Sequence, residues 1–169
     1  MTPGSIWLNG SSMAPNNKIS IVEATLKDSD LVGGLVYDLL FELFPDQVHL
    51  FPLEKMKKAA FQLLMPESDV WSFLAKYEDQ VVGLINLNQC AAIYAGGHFG
   101  EITEMYVKPE FRSKDIGERL IERAKSFARE KSWGLIEVGA PDVPRCQKTV
   151  DFYLGNGFTE VGPRLELTV

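Results

Sequence analysis

A polar turn between a β-prone run and an amphipathic helix holds the residues best suited to bind an anion. The β-prone run covers residues 101–107, and apolar residues at helical spacing begin at Ile116. Arg112, Lys114 and Gly117 lie within or just after this turn. Backbone N–H groups at a helix start attract anions, and neighbouring cations strengthen that attraction. The turn is therefore a candidate pyrophosphate site, although strand, turn and helix alone do not identify the ligand.

Better-known binding chemistries find no support in the sequence. A Rossmann fold needs Gly-x-Gly-x-x-Gly and a P-loop needs Gly-Lys followed by Ser or Thr, and the turn contains neither motif. His49 and His98 have no third ligand near them in sequence, so a metal site is not expected. Cys90 and Cys146 lie 56 positions apart, which favours reduced thiols over a disulfide framework or a zinc site.

Two sequence blocks resemble the motifs of the GNAT N-acetyltransferase superfamily. Residues 105–117 read M-Y-V-K-P-E-F-R-S-K-D-I-G, which is similar to the family's acetyl-CoA signature, roughly L-x-V-x-P-x-x-R-G-x-G-x-G. Residues 149–158 read T-V-D-F-Y-L-G-N-G-F, which looks like the family's A-x-x-F-Y-x-x-x-G-F. The two blocks stand at the family's spacing, and the order of predicted elements matches from residue 19 onward.

The resemblance implies that acetyl-CoA is the co-substrate. The strand would pair its backbone with the pantetheine arm, and the amides of the turn would cradle the pyrophosphate. The acetyl carbonyl would lie near the gap between this strand and the one predicted at 135–138. The residues expected to bind the cofactor are Met105, Tyr106, Val107, Arg112, Ser113, Lys114, Asp115, Ile116, Gly117, Glu118 and Phe152.

The resemblance also implies catalytic roles in a direct transfer within a ternary complex. Tyr153 aligns with the family's frequent general acid, and a phenol with a pKa of about 10 can protonate a departing thiolate. Glu101 lies where several members carry a catalytic carboxylate that deprotonates the amine. Glu104 is the second candidate for this general base. Strict strand alternation places positions 101 and 104 on opposite faces of the sheet. The two carboxylates are therefore not expected to have the same catalytic role.

Two residues of the turn depart from the family pattern. Ser113 and Asp115 stand where the signature has glycine. A carboxylate near a pyrophosphate costs about 1 kcal/mol at an effective dielectric of about 40. Alternatively, Asp115 caps the following helix and forms a capping box with Glu118. In the second block, Cys146 and Thr149 replace the Asn and Ala that are common there.

An acidic stripe suggests the charge of the acceptor. Asp38, Glu42 and Asp46 recur at four-residue spacing on the first predicted helix and its end. The first helices of this family usually wall the acceptor site, so the resemblance assigns Asp38 and Glu42 to a small, cationic amine such as an aminoglycoside or a polyamine. The alternative is a solvated helix face.

Each remaining assignment has a structural alternative. Tyr153 could be a core aromatic residue, Glu101 a solvated carboxylate, and Arg112 a surface partner of Glu110. Asn86, Asn88 and Gln89 are interpreted as residues of a sheet edge rather than of the acceptor site. At the level of function, the alternatives are a non-catalytic acyl-CoA sensor and a scaffold that binds no CoA.

Alternating strand and helix signals predict the elements that position these residues. Strands are expected at 19–25, 70–77, 81–94, 101–107, 135–138, 158–161 and 165–169, and helices at about 31–43, 53–64, 116–128 and 145–154. The predicted fold class is α/β (α+β): the GNAT fold, a mixed, mostly antiparallel sheet of six to seven strands flanked by about four helices. Gly33 and Gly34 in the first helix indicate close packing or a mobile segment.

Composition limits the remaining possibilities. The chain of 169 residues has 17 basic and 23 acidic residues and a net charge of -6. A duplex-DNA binder normally shows a basic surplus, and no apolar run reaches the roughly 18 residues that would span a membrane. We therefore expect no nucleic-acid or membrane partner. The reduced thiols favour a cytoplasmic location, and the resemblance implies an enzyme that forms a homodimer, as is common in the superfamily. Residues 18–169 are predicted to form one domain, preceded at 1–17 by a mobile arm or an expression remnant.

Overall fold

The computed structural model describes residues 18–141 and 145–167, in which strands and helices alternate. The strands are β1 (Ile19–Glu23), β2 (Val70–Tyr77), β3 (Gln80–Ala92), β4 (Gly97–Val107) and β5 (Ile136–Val138). The α-helices are α1 (Ser29–Leu43), α2 (Leu53–Leu63), α3 (Ile116–Glu130) and α4 (Gln147–Gly155). The predicted arm at 1–17 lies outside the described residues. No helix in the described ranges is long and apolar enough to cross a membrane.

The strands form one sheet in the order β1-β2-β3-β4-β5. The first three pairings are antiparallel, and β4 pairs with β5 in parallel. The predicted mixed, mostly antiparallel sheet with about four helices is confirmed, with five strands in the described ranges rather than six to seven.

The two closing strands predicted at 158–161 and 165–169 are wrong for the residues that can be checked. Residues 158–167 contain no strand, and 168–169 lie outside the described part. Val161, Leu165 and Leu167 are 86%, 92% and 84% exposed. Strand propensity is expressed only where a neighbouring strand offers hydrogen bonds and packing, and residues 158–167 pair with no strand of the described sheet.

Helix α3 covers one face of the sheet, as its amphipathic pattern predicts. Its buried residues are Ile116, Leu120, Ile121, Ala124, Phe127 and Ala128. Phe127 contacts Trp71 and Trp133, with ring centroids 5.1 and 5.6 Å apart, so both tryptophans pack in the core as expected. Tyr153 of α4 joins the same cluster.

Helices α1 and α2 cover the opposite face with a smaller cluster. Val32 and Leu35 of α1 and Ala60 of α2 pack against Leu84 and Tyr106 of the sheet. Gly33 permits the close approach of the two helices, because a Cβ there would lie 2.6 Å from the Cα of Lys57. A Cβ at Gly34 would meet nothing within 4 Å. The close packing predicted for these glycines is confirmed at Gly33.

Candidate active site

Strand β4 carries an edge that its neighbour β5 covers only in part. The parallel pairing joins Gly100–Ile102 of β4 to β5, whereas residues 104–107 pair in the described sheet with β3 alone. An extended molecule can add to such an edge through main-chain hydrogen bonds. Met105 and Val107 lie on this edge and turn their side chains toward the α3 cluster. Tyr106 turns its side chain toward α1.

The turn after β4 has left-handed backbone at two positions where glycine was expected. Ser113 and Asp115 both have φ near +60°, and Ile116 is buried beneath the turn at 1% exposure. The first amides of α3 have no helical acceptor and can bind an anion. Glu118 is exposed in this first helical turn.

The predicted capping box between Asp115 and Glu118 is wrong. Asp115 occupies the N-cap position of α3, but its side chain accepts no cap hydrogen bond. N-cap residues normally have extended backbone geometry, whereas Asp115 has φ 60° and ψ 14°. We attribute the missing bond to this left-handed backbone, which differs from the geometry that aims a cap side chain at the helix amides.

Gly117 brings the turn against the other predicted cofactor residues. A Cβ at this position would lie 3.0 Å from Cζ of Phe152 and 3.5 Å from Cε of Met105. The start of α3, helix α4 and the free edge of β4 therefore meet at one point. The two sequence blocks, residues 105–117 and 149–158, are therefore in contact in the fold.

The two cations of the turn have partners of their own. Arg112 donates from Nη1 and Nη2 to the two carboxylate oxygens of Glu42 at 2.9 and 2.6 Å, and from Nε to the Val107 carbonyl at 2.9 Å. The hydrogen bond with Glu42 raises the pKa of Arg112. Lys114 Nζ lies 5.1 Å from the Tyr77 ring centroid and 4.8 Å from that of Phe111. Arg112 therefore connects the turn to α1 through its ion pair with Glu42. Its partner is thus Glu42 rather than Glu110.

Tyr153 lies beside the free edge, on the α3 face of the sheet. It is 8% exposed, and its ring packs between those of Phe152 and Phe158. Its hydroxyl contacts Met105 Sδ, a weak acceptor, at 3.9 Å. Burial raises the pKa of Tyr153 to about 12. The residue is both a core aromatic and a protonated phenol beside the edge.

A bulge in β4 overturns the expectation that Glu101 and Glu104 face opposite ways. The register pairs Glu104 with Asn86 and Glu101 with Asn88, which leaves Thr103 as the extra residue. Asn86 and Asn88 are two positions apart on β3 and share a face. Both carboxylates therefore lie on the α1–α2 face, because the bulge resets the alternation.

Glu104 lines a pocket of about 280 Å³ between α1, α2 and the sheet. It accepts hydrogen bonds from Asn86 Nδ2 at 3.0 Å and from the Thr103 hydroxyl. Asn86 in turn accepts a hydrogen bond from Ser72. Ser72 and Asn86 are 1% and 6% exposed, so the carboxylate is held by buried polar groups.

The interpretation of Asn86, Asn88 and Gln89 as edge residues is wrong. Strand β3 lies between β2 and β4, and Asn86 and Asn88 line the pocket. Gln89 accepts a hydrogen bond from Trp133 Nε1 at 3.0 Å. Ser72 was not expected at the site either. One sequence feature could have indicated these pocket residues: Asn86 and Asn88 are polar residues two positions apart inside a long apolar strand.

Glu101 is engaged elsewhere on the same face. It is 16% exposed and forms an ion pair with Arg164. The Cys90 thiol contacts its other oxygen at 3.6 Å, and burial, followed by the charge of Glu101, raises the pKa of Cys90. Glu101 is therefore not a simple solvated carboxylate.

The predicted acceptor residues Asp38 and Glu42 line a different depression. Its lining residues are Asp38, Phe41, Glu42, Pro45, Tyr106 and Pro109. Glu42 is bound to Arg112, whose guanidinium also lies 5.7 Å from the Tyr106 ring. Burial, and then the charges of Asp38 and Glu42, raise the pKa of Tyr106. Neither carboxylate lines the pocket of Glu104.

Comparisons with known proteins give one consistent family. A model of the acetyltransferase (GNAT) family matches residues 32–158. An IAA acetyltransferase of Azospirillum brasilense is 30% identical over 140 residues, which cover 79% of this chain and 80% of that protein. An aminoalkylphosphonate N-acetyltransferase of Salmonella typhimurium is 28% identical over 137 residues, or 81% and 82% of the two chains. An aminoglycoside acetyltransferase from an uncultured soil metagenomic sample, solved with sisomicin, superposes with a TM-score of 0.71 at 21% identity, covering 91% of this chain and 97% of that one.

Proposed function

The chain belongs to the acetyltransferase (GNAT) family and is an acyltransferase, and from that premise we propose that it transfers an acetyl group from acetyl-CoA to the primary amine of a small acceptor. The observation that carries the proposal is the placement of two side chains around the free edge of β4. Tyr153 lies on the α3 face beside Met105, and Glu104 lies on the α1–α2 face. A proton donor and a proton acceptor thus flank the edge from opposite sides.

The described residues fit acetyl-CoA. Residues 104–107 pair with β3 alone, which leaves an edge that an extended pantetheine arm could join, although Arg112 Nε already donates to the Val107 carbonyl. The first amides of α3 suit a pyrophosphate. Gly117 keeps the start of α3 close to Phe152. When bound, acetyl-CoA supplies an acetyl group activated as a thioester. Met105, Tyr106, Val107 and the turn at 112–118 would hold it.

We assign Tyr153 as the general acid. Its phenol stays protonated at neutral pH because burial raises its pKa to about 12. The same burial raises the pKa of a thiol placed beside Tyr153. The pKa difference between the donating phenol and the accepting thiolate is therefore smaller. Tyr153 would donate its proton to the departing sulfur in the step that breaks the thioester bond.

We assign Glu104 as the general base and Glu101 as a positioning residue. Glu104 opens to the pocket and is held by Asn86 and Thr103. Glu101 forms an ion pair with Arg164 and does not line the pocket that Glu104 lines. Glu104 would take a proton from the amine, directly or through one water, so that the neutral nitrogen forms the new amide bond in a ternary complex.

Thiol release with an amine panel tests the proposal. Tyr153→Phe and Glu104→Gln should each lower kcat by roughly 10²–10⁴-fold, the usual contribution of acid–base groups, while isothermal titration shows unchanged acetyl-CoA affinity. Glu101→Gln should have a smaller effect, and the exposed α3 variant Glu122→Gln should have none. Acetyl-CoA binding without turnover on any amine would instead support the sensor alternative.

Two further expectations accompany this function. We propose a cytoplasmic location, supported by the two free thiols, Cys90 and Cys146, because cytosolic thiols remain reduced. We also propose a homodimer, as is common in the superfamily. Light scattering coupled to gel filtration checks the dimer, and a monomeric mass at working concentrations would contradict it.

A further inference from the structure

The pocket beside Glu104 has two chemically distinct parts. Its helix walls are apolar and include Val32, Val36, Met56, Ala59, Leu63 and Leu64. Its floor, on the sheet, is polar and holds Ser72, Asn86, Asn88, Thr103 and Glu104. Such a surface fits a molecule with a polar end and an apolar body.

Charge within this pocket is confined to one group. Among the described residues that line it, Glu104 alone is ionisable. The carboxylates expected to bind a polycation, Asp38 and Glu42, line the other depression, and Glu42 is paired with Arg112. A second ammonium group placed in the pocket would lie beside Met56 and Leu63 with no counter-charge and would lose part of its hydration there, which is unfavourable.

The size of the pocket limits the body of the ligand. Its volume of about 280 Å³ lies at the small end of the roughly 300–1,000 Å³ of pockets that hold drug-sized ligands. Glu104 lies two residues beyond Ile102, the last β4 residue that pairs with β5. An amine held at Glu104 would therefore reach the free edge where the acetyl group is proposed to lie.

We infer that the acceptor is a small amine with one basic nitrogen on a compact aliphatic or aromatic body, rather than an aminoglycoside or a polyamine. This inference rests on the proposed acetyl transfer and specifies its acceptor. The ammonium binds Glu104, and the apolar body packs between α1 and α2.

The first experiment compares acceptors by thiol release. Isoamylamine and phenylethylamine should have kcat/KM values roughly 100-fold or more above those of spermidine and an aminoglycoside, because burying an unpaired charge is costly. Higher kcat/KM for the polycations would overturn the inference while leaving acetyl transfer intact.

A pair of variants on α2 tests the location. Ala59→Leu places a larger side chain in the pocket and should lower kcat/KM for isoamylamine by about tenfold or more, with KM for acetyl-CoA unchanged. Gln62→Leu adds the same side chain at an exposed position of the same helix and should change neither value. Equal activity of both variants toward isoamylamine would show that the pocket does not bind the acceptor.

A binding measurement separates failure of this inference from failure of the proposed function. The methyl resonance of Met56, followed by NMR with CoA present, should shift on addition of isoamylamine and not on addition of spermidine. A shift without thiol release on any amine would keep the pocket assignment and refute the transferase proposal. The absence of a shift with isoamylamine would overturn the pocket assignment whether or not turnover occurs.

Discussion

At the scale of single residues, the turn at 112–117 uses non-glycine residues in a backbone conformation that favours glycine. Ser113 and Asp115 both have φ near +60°, a region that L-residues other than Asn and Asp rarely visit. The turn therefore has left-handed backbone at two positions where the family signature has glycine, and it carries a carboxylate at one of them. These two departures have separable consequences, conformational strain at Ser113 and charge at Asp115.

Asp115→Asn should strengthen acetyl-CoA binding. The variant removes a negative charge near the proposed pyrophosphate site and retains a side chain that tolerates the left-handed backbone. Removing a repulsion of about 1 kcal/mol lowers Kd about fivefold. Isothermal titration with acetyl-CoA measures the change, which should shrink at high salt.

Ser113→Gly is the matched variant for this turn. It relieves the same backbone conformation without a change of charge, so thermal stability should rise while the Kd for acetyl-CoA stays the same. An equal gain in affinity in both variants would mean that loop shape, and not the Asp115 carboxylate, controls cofactor binding.

The burial of Tyr153 predicts a loss of stability at high pH. Its folded-state pKa is raised from 10.0 to about 12, so the neutral phenol stabilises the fold fully below about pH 10. That stability is lost as pH rises toward the folded pKa, because the unfolded state releases the proton first. The loss amounts to about 2 kcal/mol by about pH 12.

Urea unfolding of the native chain and of Tyr153→Phe at about pH 9 and about pH 11 measures this loss. The free energy of unfolding of the native chain should fall more steeply between these pH values, because only the native chain has the Tyr153 phenol. Tyr94 and Tyr106 are present in both proteins, so their contributions cancel in the comparison. Parallel pH dependence in the two proteins would show that the Tyr153 phenol does not titrate abnormally.

Sequence reasoning reaches the site residues with unequal success. Gly117, Phe152 and Met105 lie together, so the two motif blocks on which the resemblance rests are adjacent in the fold. The orientation of Glu101 and Glu104 could not be predicted, since it depends on the bulge at Thr103. A bulge is a property of the register between two strands, and single-strand alternation carries no information about it.

At the scale of elements, Gly33 sets the distance between α1 and α2. Gly33→Ala would place its Cβ 2.6 Å from Cα and 2.7 Å from N of Lys57, and backbone atoms cannot move aside as a side chain can. The helices must separate, so we expect a loss of about 1–3 kcal/mol in the free energy of unfolding. Urea unfolding measures this loss.

Gly34→Ala provides the matched control on the same helix. Its Cβ would meet nothing within 4 Å, so the helix propensity of alanine should raise stability by up to about 1 kcal/mol. Similar effects of the two substitutions would contradict the close α1–α2 contact.

Local pattern predicted the four helices and the five strands of the described sheet, but it also predicted two closing strands where the described sheet offers no partner. The α3 face followed directly from its 3.6-residue period, and all six of its predicted apolar positions are buried. Residues 158–167 have suitable β-prone residues but form no strand in the described structure. Their exposed Val161 and Leu165 show that composition alone does not supply a pairing edge.

At the scale of the whole molecule, the net charge of -6 does not divide into a cationic cofactor side and an anionic acceptor side. Arg112 neutralises Glu42, and Arg164 neutralises Glu101. The pocket of Glu104 is mostly apolar. The acid surplus therefore gives little information about the acceptor, and the lining of the pocket gives more.

The two faces of the sheet differ in how much they bury, and this difference predicts where the molecule opens. Among the described residues, the cluster under α3 and α4 contains fifteen buried hydrophobic residues, and the one under α1 and α2 contains seven. Helix α2 buries Ala60 alone. Segments with few buried apolar contacts open at lower free energy, so the acceptor side should be the more dynamic one.

Hydrogen exchange measured by mass spectrometry tests this asymmetry. Amides of α2 should exchange at least about tenfold faster than those of α3 between Leu120 and Ala128. Acetyl-CoA alone should protect residues 112–118, and addition of isoamylamine should then protect α1 and α2, because the ligand would add the apolar contacts that this face lacks. Equal exchange in α2 and α3 would contradict the ranking of the two faces. Protection of α1 and α2 by spermidine but not by isoamylamine would show instead that this face selects its acceptor by charge.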